Sequence, residues 1–214
     1  MEKLLSYLIG AAGDACISYR KNKGEYCVEY EQKNRQWLLR SILPRINRCF
    51  GTCPVIHCRK SGLFRLRLYS KKAYEQFKPV WENPDCVLEW PLESQREFVR
   101  GFFDAEGSAP ARKRGCGWRL HIYQKDVRKL EVIRIVLERH GIKAGRITNS
   151  RNIGLLPVRR KSNLERFSKI FCPEHPDKSK ALSVLVFAEP HTGSSRARDG
   201  QNHFLQADEQ SLIP

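Results

Sequence analysis

Two segments of this chain place a carboxylate directly after a run of small and apolar residues: Tyr7-Leu8-Ile9-Gly10-Ala11-Ala12-Gly13-Asp14-Ala15 and Val99-Arg100-Gly101-Phe102-Phe103-Asp104-Ala105-Glu106-Gly107. The two acids, Asp14 and Glu106, lie 106 − 14 = 92 residues apart. The same offset relates Gln32-Lys33 to Gln124-Lys125 and Ser70 to Ser162. Anchors at one constant offset describe an internal duplication, which restricts the chain to two similar units. A duplication that repeats an acid and a lysine points to a two-fold active site.

The 214 residues leave each half about 100 residues, enough to bury a core. A net charge of +16 is the footprint of a polyanionic partner, though a ribosomal or membrane-surface protein would carry the same excess. No run approaches the roughly 18 apolar residues of a membrane span, and no export signal is visible. The expectation is an intracellular setting, cytoplasm or nucleoid or an organelle matrix, with mostly reduced thiols among the eight cysteines. Cys49, Cys53, His57 and Cys58 could ligate zinc, but their spacing is not that of a ribbon or finger, and free thiols are favoured.

Hydrophobic spacing predicts a helix over 2–14, strands over 16–20 and 26–32, and a helix from Asn34 that stops near Pro44. A hairpin over 55–58 and 63–69 and a helix over 71–81 complete the half. The second half repeats the order: helix 94–106, strands 108–113 and 117–124, helix 126–140, strands 144–149 and 153–160, helix 162–171. The class is α+β, two tandem αββαββα repeats. The expected boundaries are 1–81 for the first half, 82–96 for a linker, 97–185 for the second half and 186–214 for a polar, flexible tail.

Packing the two motif helices side by side brings Asp14 and Glu106 together at two helix C-termini. Each acid there faces a negative dipole end and the other acid, and a divalent cation relieves both. Mg²⁺, or another such ion as Mn²⁺, suits oxygen ligands and phosphate, pointing to metal-assisted phosphodiester hydrolysis. Strand alternation sends Arg119, His121 and Tyr123 to the face away from the helices, with Arg65, Arg67 and Tyr69 in the first half and Arg159 and Lys161 in the second. Such side chains suit base edges and phosphates in a major groove. The loops holding Arg20, Lys21 and Lys23, and Arg112, Lys113 and Arg114, would reach farther along a duplex. For any single strand residue a merely solvated face is an equally good account.

Residues Phe98 to Ser108 resemble the signature of the LAGLIDADG homing endonucleases in their single-chain, two-motif form, and the resemblance spans about residues 4–172. It implies a monomeric pseudo-two-fold saddle of two antiparallel sheets seated on double-stranded DNA. It also implies a staggered, Mg²⁺-dependent cut at a long pseudo-palindromic site, in a protein encoded within an intron. Carried onto this chain, Asp14 and Glu106 hold the metal with the carbonyls of Gly13 and Ala105. Gln32 and Gln124 position water, and Lys33 and Lys125 stabilise phosphate charge. An RNA maturase for the host intron, or a cleavage-inactive relative, is the alternative, and a transcription regulator a distant third. One departure stands out: Gly101 precedes Glu106 by five residues, but Gly10 precedes Asp14 by four. Either the first helix packs with a local shift or its half-site is imperfect. Asp104 has Ala12 as its repeat partner, so a local hydrogen-bonding role is expected for it. His57 and His175 are expected at the surface or in packing.

Overall fold

The computed structural model describes residues 2–13, 16–109, 118–150 and 152–187, with backbone alone for Cys16 and Ser150. Asp14 and the basic loop residues Arg112, Lys113 and Arg114 lie outside the described residues, as does 188–214.

Each half is a four-stranded antiparallel sheet covered on one face by helices. In the first, β1 (Cys16–Arg20), β2 (Glu25–Gln32), β3 (Ile56–Cys58) and β4 (Phe64–Tyr69) take the order β1-β2-β4-β3. In the second, β5 (Gly107–Ser108), β6 (Arg119–Gln124), β7 (Thr148–Ser150) and β8 (Ile153–Arg159) take the order β5-β6-β8-β7. Strand alternation buries Val28, Tyr30, Leu66 and Leu68 in one half and Leu120, Ile122, Leu156 and Val158 in the other. The expected pair of antiparallel sheets in an α+β duplication is therefore the observed architecture.

The halves meet through α1 (Lys3–Ala11) and α5 (Leu92–Glu106). A Cβ on Gly10 would run into the Phe98 carbonyl, and one on Gly101 into the Tyr7 carbonyl, so the two backbones touch directly. The contacts are reciprocal at an offset of 91, since 101 − 10 = 98 − 7 = 91. Of the two outcomes left open by the sequence, the interface takes the local shift. The residue is absorbed at the helix ends: α1 stops at Ala11 and Gly13 turns left-handed at φ +37°, whereas α5 runs on to Glu106.

The strands then recover the offset of 92, because Cys16 pairs with Glu29 as Ser108 pairs with His121. It changes again at the last hairpin: Tyr30 pairs with Leu66 and Ile122 with Leu156, and 156 − 66 = 90. This corrects one of the sequence anchors. Ser70 caps α4 (Lys71–Glu82) by accepting from the Ala73 amide at 3.1 Å, but the equivalent position before α7 (Lys161–Phe171) is Arg160, and Ser162 lies inside the helix.

The expected stop at Pro44 is also corrected. Asn34 caps α2 (Arg35–Trp37), a π turn follows over Leu38–Ile42, and α3 (Leu43–Phe50) continues beyond the proline. Proline lacks the amide that an α-helix would bond at that position, and the wider π turn accommodates the gap by bonding the Leu43 amide to the Leu38 carbonyl. Residues 82–96 hold a 3-10 helix, Pro84–Glu89, and the first turn of α5. The second sheet is crossed by α6 (Val127–Arg139), capped by Asp126. Beyond α7 the chain forms a helix the sequence reading did not expect, α8 (Pro176–Phe187), which buries Leu182, Leu185 and Val186. Among the described residues no helix is long and apolar enough to cross a membrane.

Candidate active site and nucleic-acid interface

The ends of α1 and α5 bring main-chain oxygens and a carboxylate to one place. Gly13 takes φ +37° there, a conformation L side chains rarely adopt, and a Cβ on it would come within 2.6 Å of Glu106 Oε1. Gln32, at the end of β2 in the first half, crosses to the second, and its Nε2 donates to the Ala105 carbonyl at 3.4 Å. A cleft of about 260 Å³ opens between this point and the first sheet, lined by Gln32, Glu31, Arg65, Ala105 and Glu106 among others.

Two lysines unmarked by the duplication reach the same oxygens. Lys178 on α8 donates to the carbonyls of Ala105 at 2.7 Å and Phe103 at 3.1 Å. Burial lowers its ammonium to about 8, although Glu106, Asp104 and Asp177 pull it back up. Lys129 on α6 donates to the Gly13 carbonyl at 3.3 Å and lies 3.8 Å from the centre of the Trp81 ring. The oxygen cluster thus draws cationic groups. Its donors, the Glu106 carboxylate and the Gly13 and Ala105 carbonyls, are the hard oxygens that suit a divalent ion.

Of the lysines expected there, Lys33 and Lys125 are exposed just beyond the ends of β2 and β6. Gln124 is buried; its Oε1 accepts from the Lys125 and Asp126 amides at 2.6 and 3.4 Å, and its Nε2 has no protein partner. Asp104 turns the other way, into the core. It accepts from the Tyr7 hydroxyl at 2.6 Å and from the amides of Glu174 and His175. The Tyr7 oxygen in turn accepts from Trp37 Nε1 at 3.0 Å, and Glu174 pairs with Arg45 at 2.7 Å and Arg100 at 2.9 Å. This knot joins α1, α2, α3, α5 and the segment before α8. Sequence could not supply Lys178 or Lys129, because at an offset of 92 they answer to Cys86 and Trp37.

The faces away from the helices hold the expected contact residues. On the first sheet Arg65 pairs with Glu29 and Glu31, each at 3.0 Å, Arg67 with Glu29 at 2.5 Å, and Arg59 with Glu31 at 2.7 Å; Tyr69 is exposed. Arg20 pairs with Glu25 at 3.5 Å, and Lys21 and Lys23 are exposed in the turn beyond it. On the second sheet Arg119 stands opposite Arg159 in the ladder, and His121 Nδ1 lies 3.1 Å from the Tyr123 hydroxyl. Burial and the charges of Arg119 and Arg159 push the His121 imidazole below its usual value. Lys161 lies 5.4 Å from the Trp118 ring centre. His175, expected at the surface or in packing, is buried against Trp37 with ring centres 5.6 Å apart.

Comparison with known proteins places this geometry. A family model described as a LAGLIDADG-like domain matches residues 93–171. Homing endonuclease I-ApeI of Aeropyrum pernix is 31% identical over 209 residues, covering 91% of either chain. Homing endonuclease I-DmoI of Desulfurococcus mucosus is 27% identical over 144 residues, 65% of this chain and 70% of that one. The crystal structure of I-DmoI in complex with DNA and Mn has the same fold, with a TM-score of 0.64 at 22% identity, over 79% of this chain and 96% of that one.

Proposed function

This chain belongs to the LAGLIDADG family of homing endonucleases, and from that premise we propose that it is a site-specific DNA endonuclease that cuts both strands by divalent-cation-dependent phosphodiester hydrolysis. The observation that carries the reading is that Glu106 lies beside Gly13 at the ends of α1 and α5, where lysines bond the Gly13 and Ala105 carbonyls, between two sheets whose outer faces carry arginines. Each half, 1–81 and 97–185 joined through 82–96, would cover half of a long pseudo-palindromic site inside the cell, and one acid would serve each strand to give a staggered break.

Glu106 and the two carbonyls would hold the ion, with Asp14 as the partner acid from the first half. A divalent ion such as Mg²⁺, held there, would supply Lewis acidity toward a phosphate oxygen and lower the pKa of water. Gln32, already beside the Ala105 carbonyl, would orient the attacking water, and Gln124 would do so in the other half. Lys33 and Lys125, free to swing at the strand ends, would approach the phosphate from the sheet side. The arginine-bearing strands hold the duplex in register, so the scissile bonds meet the acids without further search.

A plasmid carrying the insertion site should be linearised with Mg²⁺ and left intact with EDTA. Glu106→Gln should slow cleavage by about a hundredfold or more while gel-shift affinity persists. Undiminished cutting by that variant would remove Glu106 from the chemistry. Host-intron RNA, offered beside the DNA, tests for a second ligand.

A further inference from the structure

The two sheets have equivalent cores but unrelated outer faces. Inward positions match in kind: Val28 and Leu120, Tyr30 and Ile122, Leu66 and Leu156, Leu68 and Val158 are all buried and apolar. Outward positions do not. At the offset of 92 established for β2 and β6, Glu29 answers to His121 and Glu31 to Tyr123. At the offset of 90 established for β4 and β8, Arg65 answers to Leu155 and Arg67 to Pro157. The duplication has kept the packing and exchanged the face.

The first face is a lattice of alternating acids and guanidinium groups. Glu29 sits between Arg65 and Arg67, and Glu31 between Arg59 and Arg65, all at 2.5 to 3.0 Å. Ion pairs on a half-buried sheet face such as this one add little to stability. What the lattice supplies is orientation: long side chains that would otherwise sample many rotamers are held with donors and acceptors side by side. A G·C pair presents the complement in the major groove, because guanine O6 and N7 accept from arginine and the cytosine N4 amino group donates to a carboxylate.

The second face is built from different residues. The residues of β6 and β8 that alternate away from the helices include no acid: Arg119, His121 and Tyr123 on one strand, and on the other Leu155, Arg159 and Pro157, which is buried against Gly145. Arg119 and Arg159 face one another across the ladder and both depress His121, so the positive charge there is concentrated. Such a face attracts phosphates, which carry affinity but little base information.

We propose that the two sheets divide recognition, the first specifying G·C pairs through Glu29, Glu31, Arg65 and Arg67, the second supplying a salt-dependent grip on the phosphate backbone through Arg119 and Arg159. This rests on the reading of the chain as a DNA endonuclease, and it makes the two half-sites unlike in how strictly they are read.

The test is selection of the full chain on a randomised DNA duplex pool with Ca²⁺, followed by binding of the recovered site at several salt concentrations. The recovered half-site under the first sheet should be restricted to G·C at adjacent positions, and the other half-site should tolerate substitution. Glu31→Gln, and separately Glu29→Gln, should reduce discrimination at one or two of those positions by about tenfold, with the salt slope unchanged. Arg159→Ala should leave discrimination intact and lower the slope of log affinity against log salt by about one. Equal restriction in both half-sites would overturn the proposal. So would uniform weakening across all sequences by both glutamine variants while their circular dichroism stays native, or competition by an RNA duplex as effective as by DNA. Failure to enrich any duplex, with no plasmid cleavage, would instead overturn the endonuclease reading beneath it.

Discussion

Asp104 and Glu106 stand two residues apart in one motif and take opposite roles because successive helix positions rotate by about 100°, so i and i+2 point roughly to opposite sides. Glu106 faces the helix ends and the cleft, while Asp104 is fully buried. Burial alone would raise the Asp104 carboxyl, and the Tyr7 hydroxyl and two amides oppose that rise. Asp104→Ala strands all three donors, and unfolding in urea should show a loss of about 3 kcal/mol or more. His175 gives a pH signature. Burial holds its imidazole at about 4 against an ordinary 6.5. Between those values the unfolded chain binds the proton and the folded one does not. Stability from this group is therefore complete above pH 6.5 and is lost as the pH falls toward 4, by an amount on the order of 3 kcal/mol. Melting temperature against pH checks this, and His175→Phe should flatten that limb.

At the scale of elements, the helix pair depends on two hydrogens. Gly101→Ala would drive a methyl into the Tyr7 carbonyl, which belongs to backbone and cannot rotate away. The helices would have to separate, and a loss of about 3 kcal/mol in chemical denaturation is expected, with cleavage falling alongside it. Most strands and the motif helices were legible because alternation and helical spacing are local and because the duplication gave two copies of each, whereas the strand expected over 144–149 is only β7, Thr148–Ser150. Pro44 misled because a proline marks a missing hydrogen bond without stating whether the helix ends or widens. Glu106 was legible from its motif, and Gln32 was drawn from its repeat. The reach of Gln32 to the Ala105 carbonyl was not, since it is set by how the halves dock. Lys178 and Lys129 left no trace, for each crosses from a distant element to a carbonyl, and carbonyls carry no sequence.

For the molecule as a whole, α8 is the piece that the duplication does not explain. It has no counterpart that closes the first copy, yet it delivers Lys178 to the end of α5, and the turn before it supplies the Glu174 and His175 amides to Asp104. Removing residues 176–214 exposes the surface beneath Leu182, Leu185 and Val186, at about 1.5–3 kcal/mol for each buried side chain. That is comparable with the total stability of a domain, so limited proteolysis of the shortened chain should show rapid degradation. The reciprocal contact of Gly10 and Gly101 has a further consequence for a double-strand cutter. Where side chains separate two helices, mutation can widen or narrow the gap; here main chain meets main chain, and nothing remains to trim. Under the proposed function the contact would act as a fixed gauge between the two cutting points, and variants selected to read new sequences through the sheets should then all leave overhangs of the same length.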